Sequence, residues 1–184
     1  DSEYLYRSLD ELKQAIIEIQ EKIITKEELF VRLEQTYSVI ESNYISIKKL
    51  LEIGECRTVE YKETFSYNIR NENSGDINIR HAVLRAAAAF LNTEGGVILI
   101  GVSDDKVVTG IEKDDFENTE KYIRLIISKL TEALGVLAAS MIKLEIHEYE
   151  GKLICSIRCA KSPVPIFCEY KNFGQETFIR LENT

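Results

Sequence analysis

The spacing of apolar and polar positions changes period along this chain. Over residues 3–53, which contain neither Gly nor Pro, apolar side chains recur in heptads. One seam position holds Leu9, Ile16, Ile23, Phe30, Tyr37, Tyr44 and Leu51. The other holds Leu5, Leu12, Ile19, Leu33, Ile40 and Ile47, with Lys26 as the single break. A repeat sustained in this way predicts a coiled-coil helix. A helical hairpin folded at Ile24-Thr25 is the alternative, because Thr25-Lys26-Glu27-Glu28 reads as a capping box that would start a second helix. The heptad phase is kept across that point, which favours one continuous helix. Phe30, Tyr37 and Tyr44 are bulky for a tight dimer seam and would suit packing on the chain's own globular part.

Gly54 is a natural helix terminator, and the domain boundary is placed there, with a helical segment over residues 1–53 and a globular domain over 54–184. Past Gly54 the period becomes that of a strand. Val59, Tyr61 and Phe65 fall on one face of residues 58–65, and Glu60, Lys62 and Thr64 on the other. Residues 68–76 are polar and rich in turn formers, so they form a loop. A helix over about 77–92 buries Val83, Leu84, Ala87, Phe90 and Leu91. A Gly95-Gly96 turn then opens an apolar strand, Val97 to Val102, that delivers Ser103, Asp104 and Asp105 at its far end.

After a turn and short strand at Lys106–Gly110, a helix over about 117–134 points Tyr122, Leu125, Ile126 and Leu130 inward. Met141–Tyr149 and Lys152–Cys159 form a hairpin about Glu150-Gly151, and Ile166–Tyr170 pairs with Glu176–Leu181. The predicted fold is α/β (α+β): a coiled-coil helix, then a mixed, largely antiparallel sheet flanked by helices.

Charge narrows the range of partners. The 184 residues carry a formal net charge of −8. Residues 1–54 hold 7 Lys/Arg against 11 Asp/Glu, and residues 55–184 hold 16 against 20, so each part is −4. Neither part is basic overall, which leaves nucleic-acid binding to a local patch. Cys56, Cys155, Cys159 and Cys168 form no CxxC pair, and only His81 and His147 could join them, so the thiols read as reduced and mostly buried in a cytoplasmic protein rather than as a zinc site. No apolar run is long enough to span a membrane and no signal peptide opens the chain. The chain starts inside a helical pattern and stops just after a strand-like run, as an excised fragment would.

The sequence holds no GxxxxGK[ST] loop, and Gly95-Gly96 precedes a strand rather than opening a helix, so neither nucleotide fingerprint fits. What remains is Glu55, Glu60, Lys62 and Asp104. Carboxylates of this kind can recruit Mg²⁺ or Mn²⁺, with the lysine steadying a phosphate or the attacking water. On pattern alone the same residues read more readily as a charged, solvated strand face, which is the commoner arrangement.

Four stretches together resemble the Schlafen AlbA-type domain: Val59–Phe65 (VEYKETF), Ala89–Asp105 (AFLNTEGGVILIGVSDD), Gly110–Glu112 (GIE) and Phe178–Arg180 (FIR). The resemblance covers roughly residues 52–184. In the nuclease members of that family it implies a three-carboxylate, metal-dependent site for RNA cleavage, which falls by position on Glu55, Glu60 and Asp104. Lys62 would then assist at the phosphate, and Arg180 matches the family's closing arginine. Leu181-Glu182-Asn183 departs from the small residues usual after it. The zinc cluster and lobe duplication of animal Schlafens are not recognisable here.

The sequence therefore points to a nucleic-acid-processing domain, a Mg²⁺- or Mn²⁺-dependent endoribonuclease with Glu55, Glu60 and Asp104 as metal ligands. RNA is favoured over DNA, and a homodimer would form through residues 1–53. DNA or RNA binding without catalysis, and an oligomerisation or sensing module, are the competing readings.

Overall fold

The computed structural model describes Gln14, residues 46–73 and residues 75–181. The chain divides into two compact units, residues 1–45 and 46–184. The heptad repeat, and the homodimer expected of it, fall almost wholly on residues 1–45, of which only Gln14 is described, as helical. The second unit begins at Ser46 rather than Gly54. Ser46 is extended (φ −61°, ψ 153°) and its hydroxyl caps a separate helix, α1, Ile47–Ile53. The buried pair on α1 is Ile47 and Leu50, not the heptad pair Ile47 and Leu51.

Strand β1 is Val59–Lys62, α2 is Ile77–Leu91 and β2 is Gly96–Ile100. A short 3₁₀ turn at Glu112–Asp114 precedes α3, Thr119–Ser140, which breaks its helical conformation at Gly135. The chain continues as β3, Ile142–Tyr149, and β4, Lys152–Cys159, then β5, Phe167–Glu169, and β6, Gln175–Thr177. The main sheet has the order β1-β2-β4-β3. β1 and β2 are parallel, Val59 opposite Val97 and Lys62 opposite Ile100, joined through α2, while the remaining pairings are antiparallel. The fold is mixed α+β, as the sequence implies. The core between the sheet and the helices is filled by Ile98, Ile100, Ile157, Leu84, Phe90 and Ile126, all fully buried. Among the described residues no helix is long and apolar enough to cross a membrane.

Two arrangements place the site. First, β1 and β2 run in parallel, so their carboxyl ends lie together and the loops that follow them, at residues 63–67 and 101–107, are neighbours. Second, Asp114 is buried and gathers the first of those loops. Its carboxylate accepts the backbone N–H groups of Phe65 (2.7 Å), Ser66 (2.8 Å) and Tyr67 (2.9 Å) and the hydroxyl of Tyr122 (2.6 Å). A buried carboxylate is tolerable only when donors surround it in this way.

Candidate nucleic-acid interface

Alternation along β1 buries Val59 and Tyr61 on one face and places Glu60 and Lys62 on the other, the face shared with Ile98 and Ile100 and covered by α2. Tyr61 is fixed by its hydroxyl, which donates to the carbonyl of Leu50 at 2.9 Å. On the other face Lys62 Nζ lies 2.5 Å from Glu60 Oε1, and Arg180 Nη1 lies 2.6 Å from Glu60 Oε2. Glu60 thus spends one oxygen on each cation. Burial pushes its carboxyl pKa up, but the hydrogen bonds and charges of Lys62 and Arg180 outweigh burial and hold it below the ordinary carboxylate value.

Arg180 is seated as well as paired. Its Nη2 donates to the carbonyl of Cys56 at 2.9 Å, and its guanidinium lies 4.8 Å from the centroid of the Phe90 ring. The Gly95-Gly96 turn makes this seat. A Cβ on Gly96 would come within 2.5 Å of the Phe90 ring, and one on Gly95, at φ +82°, within 2.6 Å of the Cys159 carbonyl oxygen. The Asn92 side chain ties the closing segment down. It donates to the carbonyls of Ile166 and Phe178, at 2.8 and 2.9 Å, and accepts the N–H of Ile166 at 2.7 Å.

Between β1, the alanine-rich side of α2 and Phe178–Arg180 lies a cavity of about 310 Å³. Lys62, Arg85 and Arg180 line it against the single carboxylate of Glu60. Arg85 lies 4.8 Å over the Phe178 ring, so the pocket combines three cations with an aromatic face. Sequence reasoning missed Arg85, whose signal was a lone charge within the run Ala82–Ala89 on the helix that follows β1. Asn92 and Asp114 were missed too. Asn92 sits inside a recognised motif, whereas the backbone donors to Asp114 lie 47 to 49 residues away in the chain.

The three expected carboxylates are not gathered. Glu60 lines the basic cavity, and Asp104 lines a different one beyond the strand ends. Glu55 Oε1 accepts the backbone N–H of Tyr61 at 2.9 Å, against the β1 backbone. Lys62 lines both cavities. Among the described residues, no group of three or more His, Cys, Asp or Glu is disposed to hold a metal ion. With both Glu60 oxygens on cations and Glu55 on a backbone amide, the donor set as it stands does not fit Mg²⁺ or Mn²⁺.

The remaining soft donors are engaged elsewhere. His147 Nε2 is 2.9 Å from Ser156 Oγ, and His81 stacks on Phe173 with ring centroids 3.8 Å apart. All four cysteines are free thiols, and only Cys56 among them is not buried.

The family described as Schlafen, AlbA_2 matches residues 55–184. Among curated proteins none matches this chain. Solved structures similar to it include the following two. The DIP2311 protein from Corynebacterium diphtheriae has a TM-score of 0.45 at 16% identity, over 60% of this chain and 21% of that one. The N-terminal domain of a RecG-related protein from Nitrosomonas europaea has a TM-score of 0.48 at 17% identity, over 76% of this chain and 91% of that one.

Proposed function

The chain belongs to the Schlafen, AlbA_2 family, a nucleic-acid-related assignment, and from that premise we propose that it binds nucleic acid, RNA before DNA, through the basic cavity between β1 and α2. The observation that carries this reading is the wall of that cavity, where Lys62, Arg85 and Arg180 face one carboxylate in a chain whose net charge is −8. A phosphodiester is the ligand that a concentrated local positive charge with planar guanidinium donors suits best. Phe178, beneath Arg85, adds an apolar surface for a sugar or base edge.

Arg85 is the most informative residue to change. It is exposed, and its side chain makes no ion pair among the described residues, so its loss removes the contact with the Phe178 ring and breaks no salt bridge there. Fluorescence anisotropy with a labelled single-stranded RNA should show Arg85→Ala binding about five- to tenfold more weakly, the scale of one lost phosphate contact. Equal affinity for both proteins would contradict the proposal. The same samples with Mn²⁺ test catalysis. Binding without cleavage is expected, and cleavage abolished by Glu60→Ala and Asp104→Ala would instead establish the endoribonuclease reading.

A further inference from the structure

The basic cavity shares its Lys62 wall with a second, larger cavity of about 490 Å³ beyond the carboxyl ends of β1 and β2. The lining differs in chemistry. Tyr67 and Arg70 stand on one rim, Asp104 and Asp105 on the other. Among the described residues none of these four side chains makes a hydrogen bond or ion pair.

Both rims are held by backbone hydrogen bonds. Tyr67 donates its N–H to Asp114 at 2.9 Å and its carbonyl accepts the Thr64 hydroxyl at 2.6 Å. On the other rim, Ser103 N–H donates to the Val107 carbonyl at 2.9 Å, and the Lys106 N–H to the Ser103 carbonyl at 2.9 Å. That tight turn has Asp104 and Asp105 at its tip.

Carboxylates on this rim would repel a phosphate, so the second cavity suits a different part of a polynucleotide. An ionised carboxylate is acceptor-only and best satisfied by two adjacent donors. Of the four RNA bases, only guanine presents two neighbouring donors, N1–H and the N2 amino group, on its Watson–Crick edge. Adenine and cytosine pair an amino group with an acceptor nitrogen, and uracil sets one N–H between two carbonyls. Unpaired bases are commonly read on that edge while stacked on a Tyr ring or an Arg plane.

We infer that this cavity is a base subsite for an unpaired guanine, taken from a strand whose adjoining phosphate lies in the basic cavity across Lys62. The inference rests on the nucleic-acid-binding reading. Tyr67 and Arg70 supply the stacking surfaces, and Asp104 or Asp105 accepts N1–H and the amino group. In a duplex that edge is already paired, so the subsite selects single strands.

The test uses the full chain and three labelled RNA decamers in the same anisotropy measurement. One is all uridine, one carries a single central guanosine, and one carries inosine there, which keeps N1–H but lacks the amino group. The guanosine decamer should bind about tenfold more tightly than the uridine one, with inosine between them. Asp104→Asn or Asp105→Asn should collapse that ratio towards one. Equal affinities for all three decamers would overturn the guanine subsite and leave the basic cavity's role standing. So would a guanosine preference that survives both Asn substitutions. Failure of every decamer to bind in an Arg85-dependent way would overturn both readings.

Discussion

Glu60 is the residue on which the two chemical readings of this domain separate. Its carboxylate sits between Lys62 and Arg180, at 2.5 and 2.6 Å. It therefore competes with any phosphate for those cations. Glu60→Gln should tighten RNA binding by about two- to fivefold, since it removes the competing charge while keeping shape. Weaker binding would mean that the ion pairs position the cations rather than occupy them. The pKa of Glu60 is lowered from 4.5, so its contribution to stability is complete above about pH 5 and is lost as pH falls through the folded value. Acid unfolding of Glu60→Gln should accordingly be less steep below pH 4.5 than that of the parent chain.

The cysteines separate in the same way. Burial pushes Cys155 and Cys159 up to about 12 and Cys168 up to about 11. At Cys56 burial also acts upward, but hydrogen bonds from Thr58 and Val59 and the charge of Arg180 carry its thiol below the ordinary value. A thiol titration of the native protein should show one fast group and three slow ones. A fast phase that persists in Cys56→Ser would contradict this.

At the scale of elements, Asp114 fastens the loop after β1 to the start of α3. Asp114→Ala would leave three backbone N–H groups and the Tyr122 hydroxyl without their acceptor, a loss of about 3 kcal/mol or more in urea unfolding. A loss under about 1 kcal/mol would mean that water replaces the carboxylate. This device was not legible in the sequence, because its backbone donors lie 47 to 49 residues from Asp114 in the chain.

Local pattern carried most of the elements themselves. Alternation marks β1 and the β3–β4 hairpin, with Lys152–Cys159 read to the residue, and the buried face of α2 follows its period. The helix after Asn118 keeps its helical conformation to the expected Leu134, where Gly135 (φ 85°, ψ 164°) interrupts it before a second short helical stretch to Ser140. The Glu60–Lys62 pair was legible because two residues in one strand share a face. Arg180 was legible through its motif, whereas Arg85 and the separation of Glu55, Glu60 and Asp104 depend on how distant segments pack.

For the whole molecule, the boundary at Ser46 makes α1 part of the globular unit. Leu50 is 1% exposed and its carbonyl accepts the Tyr61 hydroxyl, so α1 supports the strand that carries Glu60 and Lys62. A fragment of residues 46–184 should unfold in one cooperative transition, and a fragment of residues 54–184 should melt several degrees lower. Burial of Ile47 and Leu50 contributes about 1.5–3 kcal/mol each. Equal melting temperatures would show that α1 is dispensable.

The central claim is that an acidic chain concentrates positive charge in one cavity to hold a phosphate backbone. The salt dependence of RNA affinity tests it most directly. The logarithm of the association constant should fall linearly with the logarithm of salt concentration, and Arg85→Ala should reduce that slope by about one phosphate contact's worth, roughly 0.7 for a single strand. A flat dependence in the parent chain, or the same slope in both proteins, would contradict the account.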